Sequence, residues 1–346
     1  MTITKILTHW YSNNKRQLPW RNTTNPYYIW LSEIILQQTQ IKQGLPYYEA
    51  FVAKYPTVFD LANAEESDVL KLWQGLGYYS RARNLHTTAK YIVKELHGVF
   101  PNNYKELIKL KGVGDYTASA IASICFNENT AVLDGNVYRF LARYYGIDTP
   151  INTTAGFKTF KALAQEIIDT DNPAEHNQAI MDFGSRQCSP SSPNCAICPF
   201  NTSCIAFIEE TVANLPVKIK AKKPTKKYFN FLVFVSDTGE TILEKREENG
   251  IWKNLYQFPL IETKKIQTAK SFQLELKNHA FVEDTNYKLF LFNETDIVHK
   301  LSHQHLHTKF WILTVPELPK KGVPVENIRD YAVPVLIENF IEDFNF

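Results

Sequence analysis

The chain has 346 residues, of which 44% are hydrophobic and 13% aromatic, a composition typical of a globular protein with about two domains. No apolar run approaches the roughly 20 residues of a membrane-spanning helix, so a cytoplasmic location is expected, where cysteines are metal ligands or free thiols rather than disulfides. The net charge of +2 comes from one segment, since residues 213–227 contain six lysines and no acid, while residues 1–212 contain 19 basic and 19 acidic residues.

The first 212 residues have an apolar period of 3.6, which predicts an all-helical region. The first helix contains Ile3, Ile6 and Leu7 on one face, and Asn25-Pro26 begins a second helix that contains Glu33. Further helices are predicted over residues 45–54, 67–73, 82–96, 104–109, 153–168 and 174–186.

Glu33 lies in the stretch YYIWLSEIILQQTQ, where large apolar side chains surround it. On a helix, its neighbours three and four residues away are Ile29, Trp30, Leu36 and Gln37. Burial on such a face raises the pKa of a carboxyl, and a carboxyl with a raised pKa can act as a general acid. The alternative is an exposed glutamate on an amphipathic helix.

Two later motifs combine a turn with a helix start. LKGVGD is a helix-hairpin-helix signature, because Gly112 and Gly114 allow a tight turn whose backbone N–H groups can face a phosphate. In LDGNVYR, Asp134 is expected to cap a helix, where N–H donors and the helix dipole favour its ionised form. Taken singly, each motif is also compatible with a purely structural turn or cap.

Four cysteines form the strongest local motif of the sequence. They have the spacing C-x6-C-x2-C-x5-C in a Pro- and Ser-rich loop with few apolar residues, and they are Cys188, Cys195, Cys198 and Cys204. We expect a metal centre to order this loop. Four thiolates suit zinc or a [4Fe-4S] cluster, although zinc fingers usually have two CxxC pairs and this loop has one.

After the lysine-rich segment the apolar period changes from 3.6 to 2. The stretch FNFLVFVSDTGETILEKRE predicts a hairpin that turns at Asp237-Thr238-Gly239. Further strands are predicted over residues 287–292 and 306–315, and a last helix over residues 335–344. Residues 228–346 are therefore predicted to form a separate α+β domain.

Taken together, SEIILQQTQ, GLGYYSRARNL, LKGVGDYTASA, LDGNVYR and the cysteine loop resemble the adenine DNA glycosylase (MutY) family in order and spacing. The resemblance implies a multidomain protein. Residues 1–212 would be an all-α helix-hairpin-helix glycosylase domain with a [4Fe-4S] loop at 188–204, residues 213–227 a linker, and residues 228–346 an α+β Nudix (MutT-like) domain that senses 8-oxoguanine.

The implied activity is removal of adenine mispaired with 8-oxoguanine or guanine, by hydrolysis of its N-glycosidic bond. By resemblance, Glu33 protonates N7 of a flipped adenine and later helps to activate water. Asp134 stabilises the oxocarbenium-like sugar, and Tyr116 and Asn136 position Asp134 and the water. This division of work needs one protonated and one ionised carboxyl.

The resemblance also implies partners and binding residues. The partner is double-stranded DNA with an adenine:8-oxoguanine or adenine:guanine mispair, no membrane is involved, and the protein is expected to be a monomer, associated with the nucleoid if it is bacterial. The four cysteines would hold the [4Fe-4S] cluster. The implied DNA and base contacts are Arg21, Leu36, Gln38, Thr39, Tyr78, Gly112, Gly114, Gln178, Ser302 and His303.

Departures from the family pattern leave some questions open. The C-terminal domain lacks the acidic helix of pyrophosphate hydrolases, so no nucleotide hydrolysis is expected, and Leu301 replaces the phenylalanine of the family's F-S-H loop. An endonuclease III-like enzyme for oxidised pyrimidines is the nearest alternative, but such enzymes have a Schiff-base lysine where this chain has Tyr116, and they lack a second domain. A non-catalytic iron-sulfur DNA-binding protein or a ferredoxin-like carrier are further alternatives.

Overall fold

A computed structural model describes residues 2–220, 222–277, 279, 281–282 and 286–346. The chain forms two compact units. The first takes in the chain up to Asn63 together with Asn84–Lys220, and the second takes in Ala64–Arg83 together with the remainder of the chain to Phe346. The predicted boundary at residue 212 places residues 64–83 in the first domain, whereas this division places them in the second unit.

Helices account for the regular structure of the first 220 residues, as predicted from the 3.6 period. Every strand of the described chain begins at or after Thr225. The helices of this part are α1 Ile3–Asn14, α2 Pro26–Ile35, α3 Ile41–Lys54, α4 Val58–Asn63, α5 Glu66–Leu72, α6 Ser80–Leu96, α7 Tyr104–Leu107, α8 Asp115–Phe126, α9 Gly135–Tyr145, α10 Thr154–Ile167, α11 Pro173–Arg186 and α12 Ile205–Ile208. The short helix α4 has no counterpart among the predicted elements. None of the helices in the described chain is both long and apolar enough to span a membrane.

An aromatic cluster forms the centre of the first unit. Phe140 on α9, Phe183 on α11 and Phe200 in the cysteine loop contact one another with ring centroids 5.1–5.2 Å apart. All three rings are almost fully buried, and edge-to-face aromatic pairs of this kind add about 0.5–1.5 kcal/mol beyond the burial of their area. The cysteine loop therefore has an apolar anchor, Phe200, which corrects the expectation that only a metal centre could order it.

The first part of the predicted linker packs on the helical unit. The carbonyl of Val217 accepts a hydrogen bond from the backbone N–H of Ile151 at 3.0 Å. Asn152 and Ile219 exchange two hydrogen bonds, at 2.8 and 2.9 Å. Residues 217–219 are thus held by hydrogen bonds to the backbone of Ile151 and to the side chain of Asn152.

A mixed sheet forms the centre of the second unit. Its order is β5-β1-β8-β6, with β7 also paired to β8, and β1 and β8 are parallel. The strands are β1 Thr225–Ser236, β2 Glu240–Thr241, β3 Glu244–Lys245, β4 Tyr256–Gln257, β5 Leu260–Thr263, β6 Lys288–Leu291, β7 Ile297–Lys300, β8 Gln304–Val315 and β9 Val323–Pro324. The predicted hairpin is wrong, because β2 follows the turn as expected but pairs with β9, while β1 pairs with β5 and β8.

Helices cover both faces of this sheet. On one face Phe272 of α13, Ala269–Leu276, stacks on Trp311 with centroids 4.3 Å apart. On the other face Phe340 of α14, Val335–Phe344, stacks on Phe310 at 4.0 Å. Because both faces are covered, residues 229–234 of β1 are all buried, although their sequence alternates.

Residues 64–83 belong to the second unit through specific polar contacts. The hydroxyl of Tyr79 donates to the carbonyl of Val333 at 3.3 Å, and the amide of Gln74 donates to Glu338 at 2.7 Å. The guanidinium of Arg83 donates to the carbonyl of Lys253 at 2.9 Å. Contacts between residues this far apart in sequence could not be read from local patterns.

Candidate active site

Glu33 lies on α2, and its position follows from local sequence. Asn25 caps this helix by accepting a hydrogen bond from the N–H of Tyr27 at 2.9 Å, and Pro26 occupies its first turn. The predicted neighbours Ile29 and Trp30 are buried, and Glu33 itself is only 8% exposed. The sequence-based expectation of a glutamate among apolar side chains is therefore confirmed.

Burial raises the pKa of Glu33 from 4.5 to about 7. A hydrogen bond from Tyr116 lowers it, the charge of Asp134 raises it, and the charge of Arg21 lowers it, all by less than burial does. A carboxyl with a pKa near 7 is substantially protonated at neutral pH. It can therefore donate a proton and later accept one, as a general acid and base must.

Tyr116 lies in the first turn of α8, which directly follows the hairpin turn in sequence. Burial, followed by the charges of Glu33 and Asp134, raises the pKa of Tyr116 well above 10, so the hydroxyl keeps its proton. The hydroxyl also lies 3.2 Å from Sδ of Met181. A carboxylate is a better acceptor than a thioether, so the ionised form of Glu33 competes with Met181 for this donor.

Asp134 caps α9, as its position in LDGNVYR predicted. Its Oδ1 accepts hydrogen bonds from the backbone N–H groups of Asn136 at 2.9 Å and Val137 at 2.8 Å. Its Oδ2 accepts from the side-chain amide of Asn136 at 2.7 Å. All three hydrogen bonds come from N–H donors, which is the arrangement that suits a carboxylate anion.

The expected direction of the Asp134 pKa is wrong. Burial raises the pKa of Asp134, and the hydrogen bonds from Val137 and Asn136 and the charge of Arg139 oppose this only in part. The sequence indicated the cap and its donors but could not indicate how deeply the carboxyl lies. Both carboxyls of the site thus have pKa values above the ordinary range.

A hydrogen-bonded chain connects Asp134 to the cysteine loop. The oxygen of the Asn136 side chain accepts from the guanidinium of Arg139 at 2.9 Å. Arg139 also donates to the carbonyl of Cys188 at 2.7 Å and to the carbonyl of Gly184. At Gly184 a Cβ would lie 2.5 Å from the carbonyl oxygen of Asn136, so only glycine allows this approach of α11 to α9.

Arg21 and Gln178 meet in a second polar cluster of the first unit. The guanidinium of Arg21 donates to both oxygens of Asp182, at 2.6 and 2.7 Å, and to the hydroxyl of Tyr11 at 2.9 Å. That hydroxyl donates to Gln178 at 2.8 Å. Burial raises the pKa of Asp182, but the hydrogen bonds and charges of Arg21 and Arg16 outweigh it and lower the pKa overall. Asp182 is therefore ionised, and its carboxylate holds the guanidinium of Arg21.

The hairpin turn has the geometry that the motif predicted. Gly112 has a φ of +81°, and a Cβ there would lie 2.8 Å from Cβ of Asn84. Gly114 precedes α8 and has open space where a side chain would be, so a phosphate could approach the backbone N–H groups.

The other predicted contacts of the first unit follow the end of α2. Leu36 is the C-cap residue of α2, and Gln38 is exposed with a φ of +55°. Thr39 is half-buried, and its hydroxyl donates to the carbonyl of Gln37 at 3.3 Å. These side chains therefore lie on a turn directly after the helix that carries Glu33.

The four cysteine thiols line one cavity, together with Arg143 and the aromatic cluster. Burial raises the pKa of Cys198 to about 11, and it also raises the pKa values of Cys195 and Cys204. Among the described residues, no group of three or more His, Cys, Asp or Glu side chains lies close enough together to hold a metal ion. All four cysteines nevertheless line the same cavity.

The predicted residues Tyr78, Ser302 and His303 lie in the second unit and come together there. The hydroxyls of Tyr78 and Ser302 lie 2.9 Å apart, within hydrogen-bond distance. Tyr78 is 47% exposed and has a φ of +47°. With Trp252 and His299, these residues line a cavity of about 460 Å³.

Several residues of the site were missed by sequence reasoning. Asp182 lies one helical turn after Gln178, and Arg139 lies three residues after Asn136, so helical spacing could have suggested both. Tyr11 also belongs to the second polar cluster, and nothing local in the sequence indicates that its hydroxyl meets Arg21 and Gln178.

Comparisons with known proteins bear on both units. Residues 31–186 match the model of the HhH-GPD superfamily of base excision DNA repair proteins, and residues 230–343 match the NUDIX domain model. The chain is 34% identical over 363 residues to the adenine DNA glycosylase of Buchnera aphidicola subsp. Schizaphis graminum, covering 99% of this chain and 100% of that protein. It is 42% identical over 209 residues to the adenine DNA glycosylase of Homo sapiens, covering 58% of this chain and 38% of that protein.

Two solved structures are similar in fold. A thermostable thymine-DNA glycosylase is 28% identical with a TM-score of 0.56, covering 60% of this chain and 95% of that chain. Endonuclease III in a non-covalent complex with DNA is 21% identical with a TM-score of 0.52, covering 60% of this chain and 94% of that chain.

Proposed function

The chain belongs to the adenine DNA glycosylase (MutY) family, and from this premise we propose that Glu33 and Asp134 hydrolyse the N-glycosidic bond of adenine in duplex DNA. Family membership confirms the predicted enzyme class and the predicted order of a helical glycosylase region and a Nudix domain. The observation that carries the residue assignment is the burial of Glu33, which raises its pKa to about 7 next to a second carboxyl.

Glu33 supplies the proton that makes adenine a leaving group. The carboxyl donates its proton to N7, the bond between N9 and C1′ breaks, and the bonding electrons remain on the adenine. Water then attacks C1′ and gives a proton to the Glu33 carboxylate, which restores the acid. The Tyr116 hydroxyl stabilises the carboxylate between these two steps, because it donates a hydrogen bond to that form.

Asp134 stabilises the positive charge that develops on the sugar. Three N–H donors already hold its oxygens, so the carboxylate is oriented before the substrate arrives. Burial raises the pKa of Asp134, and these donors oppose that rise in part. A cationic sugar favours the ionised form, so the stabilisation is strongest at the transition state.

Hydrolysis rather than strand cleavage follows from Tyr116. A Schiff-base mechanism needs an amine in the position two residues after Gly114, and a phenol cannot form an imine. An endonuclease III-like lyase reaction is therefore disfavoured, although the fold is similar to that of endonuclease III.

Duplex DNA is the partner that the site geometry supports. The open hairpin at Gly114 suits a backbone phosphate, and flipping a base needs side chains that fill the space it leaves, at a cost of about a few kcal/mol for unstacking. Leu36, which ends α2, and Tyr78, on its exposed turn, are each proposed as a wedge, and Gln38 is proposed as a further DNA contact. We propose that one protein molecule acts alone on each mispair.

The proposed base opposite the adenine is 8-oxoguanine. Ser302 and His303 are exposed on a loop, and Ser302 lies within hydrogen-bond distance of Tyr78. A hydroxyl and an imidazole can pair with N7–H and O8, which 8-oxoguanine has and guanine lacks. Contacts to these atoms distinguish the lesion from guanine.

Replacing Ser302 and His303 together with alanine is expected to lower the preference for adenine opposite 8-oxoguanine over adenine opposite guanine by about tenfold, since two hydrogen bonds are lost at about 0.5–1.5 kcal/mol each. Excision at saturating enzyme should change little. Single-turnover rates and affinities on the two mispairs measure both quantities. His305→Ala, on the adjoining strand, is the control, and a double variant with full preference would place lesion recognition elsewhere, with Leu301 the first residue to test.

The four cysteines are proposed to hold a [4Fe-4S] cluster that shapes the loop of residues 188–204. Four thiols around one cavity, next to the guanidinium of Arg143, fit a cluster with a net negative charge. The carbonyl of Cys188 also accepts from Arg139, so the loop supports the residues that orient Asp134.

Cys198→Ser is expected to lose most of the bound iron and to bind DNA more weakly, because a serine hydroxyl is a poor substitute for a thiolate ligand. Iron and acid-labile sulfide per protein chain, with absorbance in the visible blue, measure the cluster after anaerobic purification. Cys125→Ser lies outside the loop and should keep its iron. Zinc without iron in the unchanged protein would refute the assignment.

One experiment tests the proposed function as a whole. Purified protein is incubated with a duplex containing adenine opposite 8-oxoguanine, and the adenine strand is then treated with alkali. Cleavage at the former adenine only after alkali indicates a glycosylase without lyase activity. No alkali-labile site would refute the proposal, and cleavage at an oxidised pyrimidine instead would support the endonuclease III-like alternative.

A further inference from the structure

The segment between α8 and Asp134 has no regular secondary structure and is held by side chains of neighbouring helices. The carbonyl of Ala131 accepts from Nζ of Lys161 at 2.6 Å, and its N–H donates to the side chain of Gln165 at 2.9 Å. One turn of α10 thus holds both backbone groups of Ala131. On the other side, Asn177 of α11 accepts from the N–H of Val132 at 3.2 Å. Buried backbone groups need such partners, so this segment depends on α10 and α11 for its position.

Lys161 also reaches the hairpin. Its Nζ donates to Oδ2 of Asp115 at 2.9 Å and to the hydroxyl of Ser119 at 3.0 Å. Asp115 is the first residue of α8 and directly follows Gly114. The second oxygen of Asp115 accepts from the hydroxyl of Tyr104 at 2.8 Å, so the hairpin carboxylate is fixed from both sides.

One ammonium group therefore joins two parts of the proposed site. Asp134 is three positions after Ala131, and the two residues between them, Val132 and Leu133, are buried. Because buried side chains cannot rearrange freely, a shift of Ala131 passes on to Asp134. The hairpin turn at Gly114 is held by the same ammonium through Asp115.

We infer that Lys161 is a positioning residue that fixes Asp134 relative to the phosphate-binding hairpin, through its bonds to Ala131 and Asp115. The inference rests on the proposed function, since it concerns the same reaction. When the hairpin holds a backbone phosphate, the distance from that phosphate to the sugar is set by the DNA. Lys161 sets the matching distance on the protein, so that Asp134 faces the sugar of the flipped nucleotide.

Lys161→Met keeps an unbranched apolar stem that is one atom shorter, and it removes the ammonium. The single-turnover rate constant for adenine excision at saturating enzyme is expected to fall at least about tenfold, since a displacement of about 1 Å can cost about 100-fold. Affinity for a duplex with a stable abasic analogue opposite 8-oxoguanine should change by less than about threefold. Lys161→Arg should recover most of the rate, because a guanidinium can donate to the same acceptors.

A merely structural role predicts a different result. It would lower the melting temperature and the fraction of active enzyme in the burst phase, while the rate constant of the active fraction stayed the same. Lys158→Met, an exposed lysine on the same helix, is the matched control and should behave like the unchanged protein. An unchanged rate constant in Lys161→Met would overturn the inference.

Gln165→Leu gives a second test, because it releases the N–H of Ala131 without touching the hairpin. If both residues act through Ala131, the double variant should lose less than the product of the single losses, and independent losses would overturn the inference. If Lys161→Met does not fold, Gln165→Leu alone still tests the inference, because an unchanged excision rate in Gln165→Leu would overturn it. Failure of the unchanged protein to excise adenine would refute the proposed function instead, which separates the two.

Discussion

Glu33→Gln is expected to lower the single-turnover rate of adenine excision by about 10²–10⁴-fold while the protein still binds the mispaired duplex tightly. Glutamine has nearly the same volume as glutamate and fits among the apolar neighbours Ile29 and Trp30. It cannot donate a proton to N7, and it cannot accept one from the attacking water. Single-turnover kinetics at saturating enzyme and a separate binding titration measure the two quantities.

The pH dependence gives a second measurement on the same residue. Because the pKa of Glu33 is about 7, the protonated fraction falls as the pH rises through this value. We expect the excision rate of the unchanged protein to decline above pH 7, and the small residual rate of the variant to lack this decline. Glu49→Gln, an exposed glutamate on α3, should show the normal rate and the normal profile. Near-normal excision by Glu33→Gln would exclude the proton-donor role.

The same pKa predicts the stability of the variant. Between pH 4.5 and about 7 the folded protein binds more protons at Glu33 than the unfolded chain, so the free energy of unfolding falls as pH rises through this range. Above pH 7 the cost of the buried carboxylate is on the order of 3 kcal/mol. Glutamine removes this cost. Thermal unfolding at pH 8 should therefore show a variant that melts no lower than the unchanged protein, which excludes misfolding as the cause of lost activity.

Asp134→Asn is expected to lower the excision rate by about 10²–10³-fold, because a neutral amide cannot stabilise a developing cation as a carboxylate does. Asparagine is also a good helix cap, so α9 should begin at the same residue. DNA binding and melting temperature should remain close to normal. The rate, the affinity and the melting temperature are measured on the same preparation.

Two comparison variants separate charge from capping at this position. Asp134→Ala removes both and should also lose about 0.5–2 kcal/mol of stability, which Asp134→Asn should retain. Asp148→Asn changes an exposed aspartate after the same helix and should leave excision unchanged. If Asp134→Asn loses its stability together with its activity, or keeps its rate within about tenfold, the carboxylate is mainly a cap.

Local patterns were sufficient where one element decides the outcome. The Asn25-Pro26 start of α2, the glycine turn before α8 and the Asp134 cap of α9 follow from backbone chemistry within a few residues, and the structure has all three. The apolar period also predicted α14 with its observed bounds, Val335–Phe344.

Patterns failed where a partner far away in sequence decides. The turn after β1 formed as predicted, but β1 is buried on both faces and pairs with β8 and β5, so the expected hairpin partner was displaced. The sequence of residues 64–83 is typical of ordinary helical segments, yet Gln74, Tyr79 and Arg83 also make polar contacts with residues beyond 250. In both cases the competing contact lies outside any local window.

The sequence by itself determined which chemical groups this protein has and which elements carry them. It placed one carboxyl on an apolar helix face, one at a helix start and four thiols in one loop, because helical period, capping and spacing are local properties. Only the tertiary structure decided how those groups behave. Burial, which depends on every packed neighbour, raised the pKa of Glu33 as expected, but it also raised that of Asp134 against its hydrogen bonds. Likewise, the contacts of Lys161 with Ala131 and Asp115 exist only because α10 packs beside the hairpin.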